Sequence, residues 1–495
     1  MEIFGNKISD KDYKKAVKGQ KKFLRKFGDD RNTEYKLSLQ ENEIIGKSLG
    51  VKNIIIDENA SVSFEEQLKS LPGKPIIIGN IRMGFGHYRI SMAMASAAKA
   101  LGYTPLWLDL NSFPQTTCTK IISYQNNLYS TASRLSQKSK LFNKFFWEPL
   151  NYEGFKKLSY NAGDQKNAEL MTGIFKQIPK DIPIIGTHVW PAQAAIHAGM
   201  SKVINAIPDN WPMALHLAEG SIHTVQTENC LWGYKTLHGF AGNKVLNPMA
   251  EKDIVYTGHY IDDELVRNIT SDCKNRINRA QNGEPIRFLL TIGGAGAQGD
   301  FFGKIIETLI PYVKQNKAAI YINCGDYENV WNNLKKKLPD LDSEKNNQSI
   351  KVLTHFNNWE EECNFAEKAI ENTKIENSNG IHVFCNKNIF AAVYITNLLM
   401  RACDFLVTKP SELAFYPVPK LFIRRIGGHE MWGAIHSADI GDGSQECETP
   451  EYACAMVEQI LQNPEIEIRM CNNILKNNEN KIYHGAYRTV QLANL

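Results

Sequence analysis

Two successive α/β units, each built on a parallel sheet, are predicted for this chain of 495 residues. Short apolar runs alternate with helical stretches from residue 75 onward, the pattern of strand–helix–strand units. A strand, a glycine loop and a helix occur in that order twice, opening at Ile76 and again at Ile286. Composition is ordinary, with 43% hydrophobic and 22% charged residues, which excludes a disordered, collagen-like or coiled-coil chain.

Residues 1–74 read as an N-terminal extension, with a Lys-rich helical stretch from Lys11 to Gly28 and a short strand at Val51–Asp57. The first unit, 75–265, begins with strand Ile76–Gly79, the loop Arg82-Met83-Gly84-Phe85-Gly86-His87 and the Ala-rich helix Ile90–Leu101. Gly102 follows as its C-terminal stop. Strands follow at Pro105–Asp109, Pro183–Gly186, Lys202–Ala206 and Ile222–Gln226, with an edge at Ile254–Gly258. Residues 266–284 are polar and contain Asn282-Gly283, and read as a linker. The second unit, 285–470, opens with strand Ile286–Ile292, the loop Gly293-Gly294-Ala295-Gly296 and a helix from Phe301 to Lys314. Further strands are predicted at Ala318–Asn323, Lys351–Leu353, His382–Phe384, Phe405–Thr408 and Lys420–Ile423, and 471–495 forms a helical tail.

Lys plus Arg number 57 against 53 Asp plus Glu, a near-balance that argues against a dedicated nucleic-acid-binding protein. The N-terminal residues carry no apolar signal segment. The longest nearly unbroken apolar run, Ile389–Met400, falls short of the ~20 residues that span a bilayer. Ten cysteines include no C-x-x-C pair, so buried thiols in a cytoplasmic protein are expected.

A glycine loop that ends at a helix start presents bare backbone N–H groups and the positive end of the helix dipole, a setting suited to phosphate. Two such loops suggest a ligand cleft between facing domains. Gly294, Gly296 and Gly299 also spell G-x-G-x-x-G after a strand. An NAD-dependent oxidoreductase with Asp326 as its ribose carboxylate is therefore one alternative. Lys409, Ser411 and Glu412 follow one strand of the second unit, and Gly428, His429 and Glu430 follow the next. A carboxylate there can accept from ribose hydroxyls, while Lys409, Ser411 and backbone N–H groups can hold a diphosphate.

Gly84-Phe85-Gly86-His87, the stretch from Cys403-Asp404 through Thr408-Lys409 to Glu412 and Pro419, and the turn Gly428-His429-Glu430 together resemble the GT-B glycosyltransferases. The resembling branch holds monogalactosyldiacylglycerol synthases, processive diacylglycerol glucosyltransferases and the peptidoglycan N-acetylglucosaminyl transferase. Val255–Tyr260 resembles the segment closing that family's first domain, and the likeness covers about 75–470. Here Lys409-Pro410-Ser411-Glu412 is shorter than the family's loop, and His429 stands where Gln is usual. The resemblance implies two Rossmann-like domains facing across a cleft, with a C-terminal helix returning to the first. It implies transfer of a sugar from a nucleoside diphosphate, UDP by analogy, to a hydroxyl acceptor.

His87 is then the candidate base, available as neutral imidazole near pH 7. Gly84, Gly86, His188 and Asp209 line the acceptor side. Gly293, Gly294, Lys409, Ser411, Glu412, Gly428, His429 and Glu430 hold the donor. No D-x-D stands at a strand end, so neither a metal nor a resident cofactor is expected. A non-catalytic GT-B-like binding protein is the alternative from a different class. Residues 113–160 interleave Lys120, Arg134, Lys138, Lys140, Lys144, Lys156 and Lys157 with aromatics including Phe145, Phe146 and Trp147. That mixture suits an anionic membrane surface, and it equally describes amphipathic helices whose rings face the core.

Overall fold

The computed structural model describes residues 1–147, 149–292, 298–342, 350–371 and 379–494. The predicted α/β architecture of two parallel-sheet lobes is what it shows. In the first lobe helix α1 (Asp10–Phe27) precedes strands β1 (Leu37–Glu41), β2 (Lys52–Ile56) and β3 (Lys74–Asn80). Then come α2 (Gly86–Ala100), β4 (Tyr103–Asp109), α3 (Thr117–Lys138), β5 (Ile184–Gly186), α4 (Val189–His197), β6 (Val203–Ala206), β7 (Ile222–Val225) and β8 (Ile254–Tyr256). The strand order is β8-β7-β6-β5-β3-β4-β2-β1, parallel except for β1 against β2.

The second lobe starts at α5 (Asp263–Asn282) and continues through β9 (Ile286–Thr291), α6 (Gly299–Lys314), β10 (Ala318–Asn323), β11 (Val352–Phe356), α7 (Trp359–Glu371) and β12 (Gly380–Cys385). It is completed by α8 (Ile389–Ala402), β13 (Phe405–Thr408), β14 (Lys420–Ile423), α9 (Met431–Asp439), β15 (Gly443–Cys447) and α10 (Pro464–Glu479). Its sheet is parallel throughout, in the order β11-β12-β10-β9-β13-β14-β15.

Strand parity explains the cores. Along β3, Ile77 faces a cluster with Leu106, Leu108 and Ile184, while Ile76 and Ile78 face the opposite cluster with Trp107 and Ile185. Along β9, Phe288 and Leu290 point to one side and Leu289 to the other. Both faces are covered, so the central strands are apolar without interruption. Each such buried aliphatic side chain contributes about 1.5–3 kcal/mol.

Three boundaries differ from the sequence reading. Residues 1–74 are not an appendage, because β1 and β2 form one edge of the first sheet and Phe23, Leu24 and Phe27 of α1 pack on its core. Residues 266–284 are largely helix α5. The Asn282-Gly283 pair is its C-terminal cap, with Gly283 at φ +67°. The tail boundary at 471 falls inside α10, whose Cys471 and Ile474 pack with Ile269 and Cys273 of α5. The last helix, α11 (Gly485–Gln491), does return to the first lobe, where Ala486 and Val490 join the cluster of Ile76, Ile78 and Met92. That same cluster takes in Val393 and Tyr394 of α8. The lobes therefore meet through this apolar contact and through polar pairs such as Arg82 with Asp326.

Candidate active site

Each sheet has one point where the strand order reverses direction, and a ligand crevice opens there at the carboxyl ends. In the first lobe it lies between β3 and β5, in the second between β9 and β13. His87, at the start of α2, and His188, capping α4, occupy the first point. Their rings meet edge to face with centroids 4.8 Å apart.

Backbone contacts set complementary tautomers on the two rings. His87 Nδ1 lies 2.8 Å from the carbonyl oxygen of Thr187; a carbonyl only accepts, so Nδ1 carries the proton and Nε2 keeps its lone pair. His188 Nδ1 accepts from the Trp190 N–H at 3.2 Å, so its proton sits on Nε2. Burial pushes His87 below the usual imidazole value, against the pull of Asp209 and Glu412. Burial, with His87 beside it, pushes His188 further down. Both rings are neutral at pH 7, one an acceptor and the other a donor.

Asp209, in the loop after β6, lies 3.3 Å from His216 Nε2 and 4.0 Å from His429 Nε2. The carboxylate thus joins a first-lobe and a second-lobe imidazole. Burial lowers His216 to about 4 although Asp209 opposes it. The Nδ1 atoms of His216 and His429 are buried without a partner, which marks unspent hydrogen-bonding capacity.

In the second lobe Lys409 pairs with Glu430, whose Oε2 also accepts from the Ile426 and Gly427 N–H groups at 2.7 and 3.2 Å. Burial works against the Lys409 charge, but Glu430 and Glu412 outweigh it and raise it to about 12. Burial likewise opposes ionisation of Glu430, and Lys409 and His429 overcome it, holding the carboxyl at about 2. Glu412 heads a single short turn, Glu412–Phe415. Ser411 is half-buried before it. Gly428 lies beside the Tyr152 ring. Gly293 and Gly294, the expected phosphate grip, lie outside the described residues, as does Gly296.

The structure adds residues that the sequence reading missed. Arg89, one turn into α2, reaches across to Glu412 at 3.9 Å and donates to Asn397 of α8. Arg82 pairs at 2.8 Å with Asp326 of the second lobe, so the carboxylate proposed for an NAD ribose is already engaged. Trp211 of the first lobe stacks on Trp432 of the second, centroids 5.0 Å apart, and on Tyr152 at 4.5 Å. A Cβ on Gly86 would lie 2.9 Å from Glu412 Oε2, so Glu412 closes over the glycine loop in this conformation. The sequence signal for Arg89 was its place beside His87, with no hint of a partner more than 300 residues away.

Residues 2–236 match the family described as Domain of unknown function (DUF6937), and residues 249–494 the family described as Domain of unknown function (DUF6938). No curated protein sequence matches the chain. Among solved structures, UDP-GlcNAc 2-epimerase from Neisseria meningitidis, bound to UDP-GlcNAc, is similar at 11% identity and TM-score 0.44, over 84% of this chain and 98% of that one. MurG from Acinetobacter baumannii is similar at 13% identity and TM-score 0.40, over 85% and 99%. An alpha,alpha-trehalose 6-phosphate synthase from Burkholderia multivorans is similar at 10% identity and TM-score 0.43, over 85% and 98%.

Proposed function

We propose that this chain is a GT-B-type glycosyltransferase that moves a sugar from a nucleoside-diphosphate sugar, with UDP as nucleotide, to a hydroxyl acceptor. One observation carries the reading: at the first-lobe switch point a neutral imidazole with a free Nε2 faces the lobe that bears Lys409, Glu412 and Glu430. In the reaction His87 Nε2 takes the acceptor's proton as its oxygen bonds to the anomeric carbon. The bond from that carbon to the diphosphate breaks, and its electron pair leaves on the diphosphate oxygen. Lys409 and Arg89 face the growing negative charge, and His188 Nε2–H donates a hydrogen bond to a substrate oxygen. Glu412 accepts from ribose hydroxyls. A ribose at Glu412 also frees Arg89 from its carboxylate, so donor binding and the supply of positive charge are linked. Entry of the donor requires Glu412 to lift from Gly86.

The test is calorimetric titration with UDP and UDP-sugars, followed by an assay for released UDP. Saturable UDP binding with slow release of UDP from one sugar donor is expected. Absence of any nucleotide binding ends the proposal. In active enzyme, kcat/KM should fall as pH drops through a value below 6.5, because protonated His87 no longer accepts a proton. A profile flat down to pH 4 would assign the base elsewhere. A non-catalytic nucleotide-sugar binder is the second reading, favoured by the pairing of both cations with carboxylates. It predicts tight UDP-sugar binding without UDP release.

The acceptor side of the proposal includes an anionic, lipid-bearing surface. Leu128, Leu135, Leu141, Phe145, Phe146 and Leu150 are all exposed, Leu141 and Phe146 by 71% and 67%. Phe113 and Trp147 of the same stretch are buried, and Lys156 lies over the Trp211 ring, so only part of it is free. Among the described residues no helix is long and apolar enough to cross a membrane. The double variant Phe145→Ser/Phe146→Ser is expected to weaken binding to phosphatidylglycerol vesicles by at least about tenfold, since each buried ring is worth about 1.5–3 kcal/mol. Equal sedimentation of variant and parent with vesicles would refute the surface.

A further inference from the structure

The chain passes between the lobes twice, at 257–262 and again at 480–485, and the two passages are hydrogen-bonded together. His259 N–H donates to Ile482 O at 2.7 Å, and Gly485 N–H to His259 O at 2.8 Å. Against this crossing lies a cavity of about 540 Å³, bounded by α5, the end of α10 and α11. That is within the range of small-molecule sites, about 300–1,000 Å³. It shares no residue with the candidate active site described above.

Its lining is cationic. Arg267, Lys481, His484 and Arg488 all border it, together with the neutral donors and acceptors Thr270 and Asn478. No carboxylate is among the lining residues, and Asp263 beside them pairs with Arg267 at 3.3 Å and accepts from the Tyr487 hydroxyl. Lys481 and Arg488 enter no ion pair among the described residues. One Arg488 nitrogen donates to Thr257 O at 3.1 Å, within the first passage, and the rest of the fork is free to bind. Burial, then Lys481 and Arg488, lower His484, as expected where positive charge is uncompensated.

We propose that this cavity is a binding site for a phosphorylated small molecule, held by Lys481, Arg488 and His484 at the point where the lobes are joined. Three N–H-bearing side chains on one cavity wall, two of them with fixed charge, match a phosphoryl group better than a single carboxylate. Because Arg488 also holds Thr257, ligand binding bears directly on the passage between the lobes.

The probe is inorganic pyrophosphate, titrated calorimetrically into the full-length protein. Lys481 sits at φ +60°, a conformation asparagine tolerates, so Lys481→Asn removes the charge and keeps the backbone. Pyrophosphate is expected to bind the parent, to bind Lys481→Asn about fivefold more weakly, and to bind Lys481→Asn/Arg488→Gln at least about tenfold more weakly. Lys409→Met weakens the cleft's own diphosphate grip, so in that background pyrophosphate should still bind, and adding Lys481→Asn should still weaken it about fivefold. No binding at millimolar pyrophosphate overturns the proposal. So does a loss confined to Lys409→Met, which would place the anion in the cleft. Should the double variant fail to fold, an unchanged affinity in Lys481→Asn alone is equally fatal.

Discussion

His87→Ala is expected to lower turnover of the nucleotide sugar by about 10²–10⁴-fold, the usual worth of a positioned base, while UDP affinity changes less than about twofold. The separation follows from geometry. His87 is fixed by Thr187 within the first lobe, whereas Lys409 and Glu412, assigned to the diphosphate and the ribose, stand on the second. His87→Gln is a sharper form of the test. Its amide can still donate to Thr187 O but takes no proton at Nε2's place, so a similar loss of rate with the fold intact assigns the effect to proton transfer. Turnover within threefold of the parent for both variants would remove His87 from the mechanism and leave the binding-protein reading standing.

Lys420→Met is expected to destabilise the protein by about 3–5 kcal/mol, the cost of stranding one member of a buried ion pair. Lys420 and Asp442 are fully buried and 2.9 Å apart. The ammonium also donates to Tyr416 O at 2.7 Å and Val418 O at 3.1 Å. Tyr483 and Ser437 donate to the Asp442 carboxylate, at 2.8 and 2.5 Å. The pair thus ties β14 to the segment that carries the chain back towards the first lobe. Urea unfolding followed by circular dichroism checks the figure. Adding Asp442→Asn should recover part of the loss, because the remaining buried charge is then gone. A loss below about 1 kcal/mol would show that water reaches the site.

The sheet interiors were readable in sequence. Strands Phe405–Thr408 and Lys420–Ile423 have the bounds expected from their apolar runs, because a strand buried on both faces admits little else. Edge strands were not: Leu37–Glu41 and Gly443–Cys447 are rich in Ser, Gln and Glu, with Gln40, Glu41 and Gln445 exposed, and look like loop. Helix α5 was hidden by its polar outer face, which local composition cannot distinguish from a linker. The first-lobe candidates His87, His188 and Asp209 could be named because each follows a strand. Their partners could not. Arg89 with Glu412, Arg82 with Asp326 and Asp209 with His429 are set by how the lobes close, and no spacing along the chain encodes that.

The return of α11 to the first lobe bears on how the protein is made. Ala486, Val490 and Ala493 fill an apolar face opened by Ile76, Ile78 and Met92, some 400 residues earlier in synthesis. Until α11 is made, that face lacks this part of its cover and keeps only the first-lobe and α8 side chains of the same cluster. At the seam, a Cβ on Gly485 would lie 2.0 Å from Gly258 O, so a bulkier residue there would bar the final strap from seating. The first lobe therefore completes its packing only once α11 has been made, and truncation before Gly485 would leave that cluster incomplete.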